Sequence, residues 1–307
     1  MLTSGGRSSL HFTLNRNTPM KLRRATARVA NSIMRPLNLS LMHVKQDFDG
    51  RLESTRHLQI LFSALAEPIE RWLEAQQLFA RVGGTKEIKE HIEIFYLEYL
   101  RSPFRVQGGG SRFDNLLWLY LLAQATRPTV IVDSGTYTGG SAWALSLGSP
   151  GSPIFSFDLE LSHLKLRKPG VKYIQCDWMK FDSAGCDVSR GLCYFDDHVD
   201  QIGRLIQAAG RGFPLAVFDD DYPVTSFAAM AHGGFALPKI EFALDSRLSD
   251  KEVISWSDRG QVHSWEVNRA YLDKGLAVIR ATERLPDTSM ITGIHQTPYR
   301  IVALNAA

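Results

Sequence analysis

The chain has 307 residues, 44% hydrophobic and 22% charged, with net charge +3, enough apolar material for one large domain plus an extension or for two small domains. No apolar run reaches the ~18 residues a membrane-spanning helix needs, and Cys176, Cys186 and Cys193 show no C-x-x-C spacing, which argues against a disulfide framework or zinc and for reduced thiols in a cytoplasmic protein. Of the 35 Lys and Arg, eight lie in residues 1–46 with no acid among them, while the other 27 face 32 Asp and Glu, a balance of −5; the basic, aromatic-interleaved body that nucleic-acid binding favours is absent.

Residues 1–19, rich in Ser, Gly, Asn and Thr, are expected to be a disordered leader. Residues 21–44 alternate cations with Leu, Val, Ile and Met at roughly helical spacing, and Pro36 ends or kinks that helix. Such a basic amphipathic segment can lie on an anionic membrane surface, which would make residues 20–46 a peripheral contact at the inner membrane face. It can equally pack on the body, or serve as an acid-free transit peptide.

Residues 54–101 read as helical, with Leu58, Ile60, Leu61, Leu65, Ile69, Trp72, Leu73 and Leu78 in a 3.6-residue stripe interrupted at Pro68. Gly83-Gly84 breaks the chain, and Thr85 is a plausible N-cap for a helix over 86–100. A further helix is expected over 113–125, preceded by Gln107-Gly108-Gly109-Gly110, either a hinge or a plain linker.

From residue 129 strands and helices alternate. Strands are expected at 129–133, 154–158, 171–175, 192–196 and 214–219, with helices near 141–147, 161–166 and 199–210, the pattern of a parallel sheet with right-handed crossovers. Two closing strands are expected at 275–281 and 299–304. Within this stretch, VIVDSGTYTGGSAWALSLGSPGSPIFSFD (130–158) reads as strand, glycine turn, helix start, then a second strand ending in Asp158. Strand ends and a helix N-terminus converge there, as at nucleotide-type sites. The spacing is not G-x-G-x-x-G, and no Gly-Lys-Ser/Thr follows, so neither a dinucleotide fingerprint nor a P-loop is present. An ordinary tight β-α turn needing glycine at positive φ is the alternative account of the same residues.

The pattern D-x-G-x-x-x-G-x-S followed by an acid at the next strand end resembles motif I of class I S-adenosylmethionine (SAM) methyltransferases. That resemblance, over about residues 105–305, implies an α/β, Rossmann-like, mostly parallel sheet with its last strand antiparallel, following a helical N-terminal extension (20–104). It implies SAM as cofactor, lined by Asp133, Gly135, Tyr137, Gly139 and Ser141, with Asp158 on the ribose. Gly170 to Trp178 resembles a third family motif, which would put Asp177 on the adenine amino group and Trp178 nearby as a stacking surface; a buried Trp at a strand end is the competing account. The basic leader is weakly similar to those of some surface-polysaccharide methyltransferases.

Two more strands end in acids: Asp196-Asp197-His198 and Asp219-Asp220-Asp221. Five carboxylates at one sheet edge repel unless a cation or protons neutralise them, and hard oxygen ligands suit Mg²⁺, Mn²⁺ or Ca²⁺. Solvated turn acids capping helices are the alternative. The arrangement resembles metal-dependent O-methyltransferases and the cephalosporin-hydroxylase-like group, implying Asp196 or Asp197 with Asp219 and Asp220 as ligands of Mg²⁺ (or Mn²⁺). Phe195 stands where that group's D-x-D-H begins, leaving the choice between Asp196 and Asp197 open. His198, with Asp197, is a candidate for taking a proton from an acceptor hydroxyl; His232 is a weaker acceptor-side candidate.

The expected activity is methyl transfer from SAM to a hydroxyl of a sugar or small polyol, with self-association allowed. The other classes are an NAD-dependent oxidoreductase on a similar sheet, disfavoured by the glycine spacing, and a catalytically silent SAM-fold scaffold at a membrane.

Overall fold

A computed structural model describes residues 54–76, 85–105, 110–233, 237–258 and 260–305. The leader 1–19, the basic segment through residue 53, Gly83-Gly84, most of the Gln107–Gly110 hinge and the side chain of His232 lie outside the described residues.

Seven strands form one sheet in the order β3-β2-β1-β4-β5-β9-β8. They are β1 (Ile131–Ser134), β2 (Ile154–Asp158), β3 (Val171–Gln175), β4 (Leu192–Phe195), β5 (Leu215–Phe218), β8 (Ile279–Arg284) and β9 (Arg300–Leu304). The β3-β2-β1-β4-β5 pairings are all parallel, and β9 runs antiparallel to both β5 and β8. This is the expected Rossmann-like, mostly parallel sheet with one reversed strand. The strand order turns back at β1, whose neighbours are β2 and β4, so the crevice of the sheet opens at the carboxyl ends of β1 and β4.

Successive strand residues point to opposite faces, and the core divides accordingly. Ile131, Leu192, Tyr194, Val217 and Ile301 join one cluster; Val132, Cys193, Phe195, Ala216, Phe218 and Val302 join the other. Burial on both faces is why these strands read as continuous apolar runs rather than alternating ones.

The first cluster is capped by α1 (Thr55–Ala75), α2 (Thr85–Arg101), α3 (Phe113–Thr126) and α4 (Gly140–Gly148). The helices α1 and α2 therefore share the sheet's core rather than building their own: Phe95 packs within 5.2–5.6 Å of the Tyr120, Phe113 and Trp143 rings. Pro68 does not interrupt α1, which runs through it with Leu65, Ile69 and Leu73 buried on one face. The helix pair α3–α4 is close-packed, since a Cβ on Gly148 would stand 2.3 Å from the Tyr120 carbonyl oxygen.

The second cluster is covered by α5 (Gln201–Gly210), α6 (Ile240–Leu244) and α7 (Arg269–Ala277).

Beyond Pro68, two local expectations fail, and one pair of strands was not expected. Residues 161–166 form turns rather than a helix. Residues 269–277, with Asn268 capping through Tyr271 N–H, are helical, so the strand expected from 275 begins at Ile279. An antiparallel hairpin, β6 (Val253–Asp258) and β7 (Gln261–Glu266), pairs only with itself among the described residues; Val253 and Val262 on its exposed face blur the apolar/polar alternation that marks a strand.

Candidate functional site

The carboxyl ends of β1, β2, β4 and β5 bring most of the expected site residues together. At the end of β1 the chain turns through Gly135, Tyr137 and Gly139, all at positive φ. Gly135 N–H and Thr136 N–H both donate to the Phe157 carbonyl, tying the turn to β2. A Cβ on Gly135 would lie 2.3 Å from the Asp196 carbonyl oxygen. The glycine is thus required by the β1–β4 junction itself. Gly139 faces Leu164 and Leu166 in the same way, and Lys165 N–H donates to the Thr138 carbonyl, so the segment after β2 folds against the turn.

Asp158, at the end of β2, accepts Tyr137 N–H at 2.7 Å on one oxygen and Glu160 N–H at 3.0 Å on the other. It is half-buried and fixed in direction, with lone pairs left over. Asp133 is fully buried; Oδ2 accepts the Ser156 hydroxyl, while Oδ1 has no partner among the described residues. Burial pushes its pKa up to about 6, opposed by the Ser156 and Ser141 hydroxyls.

The β4 end separates its two acids. Asp197 Oδ2 accepts the Ser134 hydroxyl at 2.6 Å and Arg204 Nε–H at 2.9 Å. Its burial raises its pKa, with the Arg204 charge pulling the other way. Asp197 Oδ2 is thus committed to Ser134 and Arg204. Asp196 instead meets His198 and Asp220: one ligand atom from each lies within 4.8 Å of the others. His198 Nδ1 is 3.6 Å from Asp220 Oδ2, and its ring is half-exposed. Both His198 and Asp220 sit at positive φ, a strained backbone for non-glycine residues of the kind that gathers at functional sites.

Asp219 turns inward from this group. It accepts hydrogen bonds from the Tyr194 hydroxyl, the Thr297 hydroxyl and Asp220 N–H. Burial, then the Asp220 charge, pushes its pKa up to about 8. Burial, then Asp219 and Asp220, raises Asp196 well above the usual carboxylate range. The set able to share a cation is therefore Asp196, His198 and Asp220, with His198 where the sequence suggested Asp219.

Trp178 is not a stacking surface. It is fully buried, sits edge-on to Phe195 at 5.1 Å and donates Nε1–H to Gln207. Asp177 stands at the β3 exit, clamped by Arg204.

Two residues escaped sequence reasoning. Arg204 lies mid-helix, where an isolated arginine looks like solvated surface, yet is 3% exposed. Lys239 is 2% exposed. Burial lowers its pKa, opposed by the charges of Asp220, Asp221, Asp219 and Asp196. Gln201 fixes this stretch, donating its backbone N–H to the Pro238 carbonyl and accepting Ile240 N–H, while its side-chain amide donates to the Asp219 carbonyl. Neither residue carries a spacing signal, because both are brought in by tertiary contacts.

No family model and no curated protein matches the chain. Among solved structures it is similar to an O-methyltransferase from Bacillus cereus in complex with S-adenosylhomocysteine, with 10% identity over 80% of this chain and 99% of that one and a TM-score of 0.39. It is also similar to the O-methyltransferase TomG from Streptomyces achromogenes, involved in tomaymycin synthesis and bound to SAM (13% identity, 78% and 99% covered, TM-score 0.38). A third likeness is to CmcI-N160 (18% identity, 62% and 75% covered, TM-score 0.32). At such identities and TM-scores, the fold stands on this chain's own strand order and the chemistry on its own residues.

Proposed function

We propose that the chain is a SAM-dependent O-methyltransferase acting on a hydroxyl of a sugar or small polyol, assisted by Mg²⁺ or Mn²⁺. What carries the proposal is a single juxtaposition. The oriented Asp158 carboxylate beside the glycine turn and the Asp196–His198–Asp220 group open on one edge of one sheet, at its switch point.

The residues fit both groups. Asp158 retains acceptors for two ribose hydroxyls, and the orphaned Oδ1 of buried Asp133 is the kind of group a bound donor satisfies. Two carboxylates and an imidazole suit a divalent cation, and the nitrogen donor favours Mn²⁺ over Mg²⁺. When bound, SAM supplies a methyl on a sulfonium sulfur and the cation supplies Lewis acidity towards the acceptor hydroxyl. The chain's part is to orient: Asp158 and the turn fix one reactant, and Asp196 and Asp220 fix the other, so that the oxygen approaches the methyl in line.

His198 supports a second role. With Nδ1 towards Asp220, its other nitrogen is free to take the hydroxyl proton as the oxygen gains the methyl. As a ligand, His198→Gln would weaken Mn²⁺ binding; as a base, it would leave that binding intact and slow turnover.

The deciding experiment is calorimetric titration of S-adenosylhomocysteine, with and without Mn²⁺, on the wild type and Asp158→Ala. Micromolar binding that weakens at least ~30-fold in the variant, as expected for two lost charge-assisted hydrogen bonds, supports the reading; a folded wild type that binds nothing overturns it.

A further inference from the structure

We infer that Arg204 is a positioning residue of the cofactor half of this site: it holds Asp177 and Asp197 as one acceptor wall and keeps Asp197 apart from the cation group. The inference rests on the SAM reading above.

In the sheet, β3 and β4 are separated by β2 and β1, so no strand pairing joins their ends. Arg204 makes that join. From α5 its Nε–H reaches Asp197 Oδ2 at 2.9 Å, Nη2 reaches Asp177 Oδ2 at 2.7 Å, and Nη1 reaches Asp177 Oδ1 at 3.2 Å and Gln207 Oε1 at 3.0 Å. The guanidinium side chain is 4% exposed, so this geometry is built into the interior rather than sampled at the surface. Gln207, one turn along the helix, also accepts Trp178 Nε1–H at 3.2 Å, which anchors the turn carrying Asp177.

Two carboxylates on one guanidinium leave a surplus negative charge, and the two acids differ in access. The Asp197 side chain is 14% exposed and the Asp177 side chain 40%. Asp177 Oδ1 takes Nη1 and Met179 N–H, whereas Oδ2 takes only Nη2 and keeps a lone pair. Arg204 thereby presents one aimed acceptor to an N–H donor entering over β3, such as the amino group of an adenine. A lysine, as a point charge, cannot hold both acids in that plane.

The test compares S-adenosylhomocysteine with S-inosylhomocysteine, whose adenine amino group is replaced by a carbonyl, by calorimetry on the full chain. Wild type should prefer the adenosyl compound by about tenfold or more, since an aimed acceptor meets a donor in one and a carbonyl in the other. In Arg204→Gln the preference should collapse towards unity through loss of adenosyl affinity, with inosyl affinity little changed, and Arg204→Lys should restore part of it. Equal weakening of both compounds would mean a merely structural role and overturn the inference, as would unchanged preference. If Arg204→Gln does not fold, Arg204→Lys is compared with the wild type instead and should show a reduced adenosyl preference; an unchanged preference or equal weakening of both compounds overturns the inference. A wild type that binds neither compound sinks the SAM reading itself, a result distinct from all of these.

Discussion

Gly135 and Asp133 behave differently although they are two residues apart. The turn glycine is demanded by a backbone contact: any Cβ would stand 2.3 Å from the Asp196 carbonyl, at φ +100°. We expect Gly135→Ala to cost about 3 kcal/mol or more, from overpacking plus backbone strain, read as a lowered midpoint in urea unfolding; a loss under ~0.5 kcal/mol, the range of a neutral surface change, would refute it. Asp133 and Asp219 instead govern pH dependence. Their pKa values are raised to about 6 and about 8 in the folded chain by burial, against ~3.9 for an unfolded Asp. The folded state thus binds protons more tightly. As far as these groups go, stability should be greatest below about pH 4 and fall as pH rises from there, most steeply up to about 6 and less steeply up to about 8, where it levels off. Thermal melts from pH 5 to 9 check this, and Mn²⁺ should flatten the slope by supplying the missing positive charge; a metal-independent slope would count against the cation group.

Among the elements, β5, β9 and the segment leading into α6 are locked by ion pairs. Arg300, 5% exposed, joins Asp221 and Glu241, and Arg284 reaches Glu241 at 3.3 Å and the Asp221 carbonyl at 3.0 Å. This holds the end of β5, and so Asp219 and Asp220, against the reversed strand. Arg300→Met should destabilise by roughly 3–5 kcal/mol, because it leaves Asp221 buried and unpaired. Adding Asp221→Asn should recover part of the loss. A double variant no better than Arg300→Met would show that packing, not charge, is what the arginine supplies. Legibility was uneven at this scale. The five parallel strands stand within two residues of their expected positions because burial on both faces leaves long apolar runs. The strand expected at 275–281 was misplaced because Leu276 and Val278 suit helix end and strand start alike. Pro68 was misjudged because α1 packs one face on the core and that packing outweighs a lost hydrogen bond.

At the scale of the whole molecule, the N-terminal helices α1 and α2 are part of the same packed body as the sheet. Phe95 of α2 lies among the rings of Tyr99, Phe113, Tyr120 and Trp143, and Trp72 meets Trp118 edge-on at 5.4 Å. Phe95→Ala should cost about 3–5 kcal/mol and lower a single cooperative transition of far-ultraviolet circular dichroism and tryptophan fluorescence. Two separated transitions would show residues 54–104 melting on their own. Among the described residues no helix is long and apolar enough to cross a membrane.

The sequence by itself determined the sheet class, the glycine turn at the first strand end, Asp158 after the second strand and the acidic ends of the fourth and fifth. Each of these is a local signal, set by apolar run length and by which residue follows a strand. Only the tertiary structure decided which acids face one another. Side chains alternate about an extended backbone, so neighbours Asp196 and Asp197 serve different partners, and Asp219 turns towards Tyr194 while Asp220 turns towards His198. Arg204 and Lys239 entered the site from a helix and a loop whose sequences carry no mark of it, because burial beside distant carboxylates is a property of packing and leaves no periodicity along the chain.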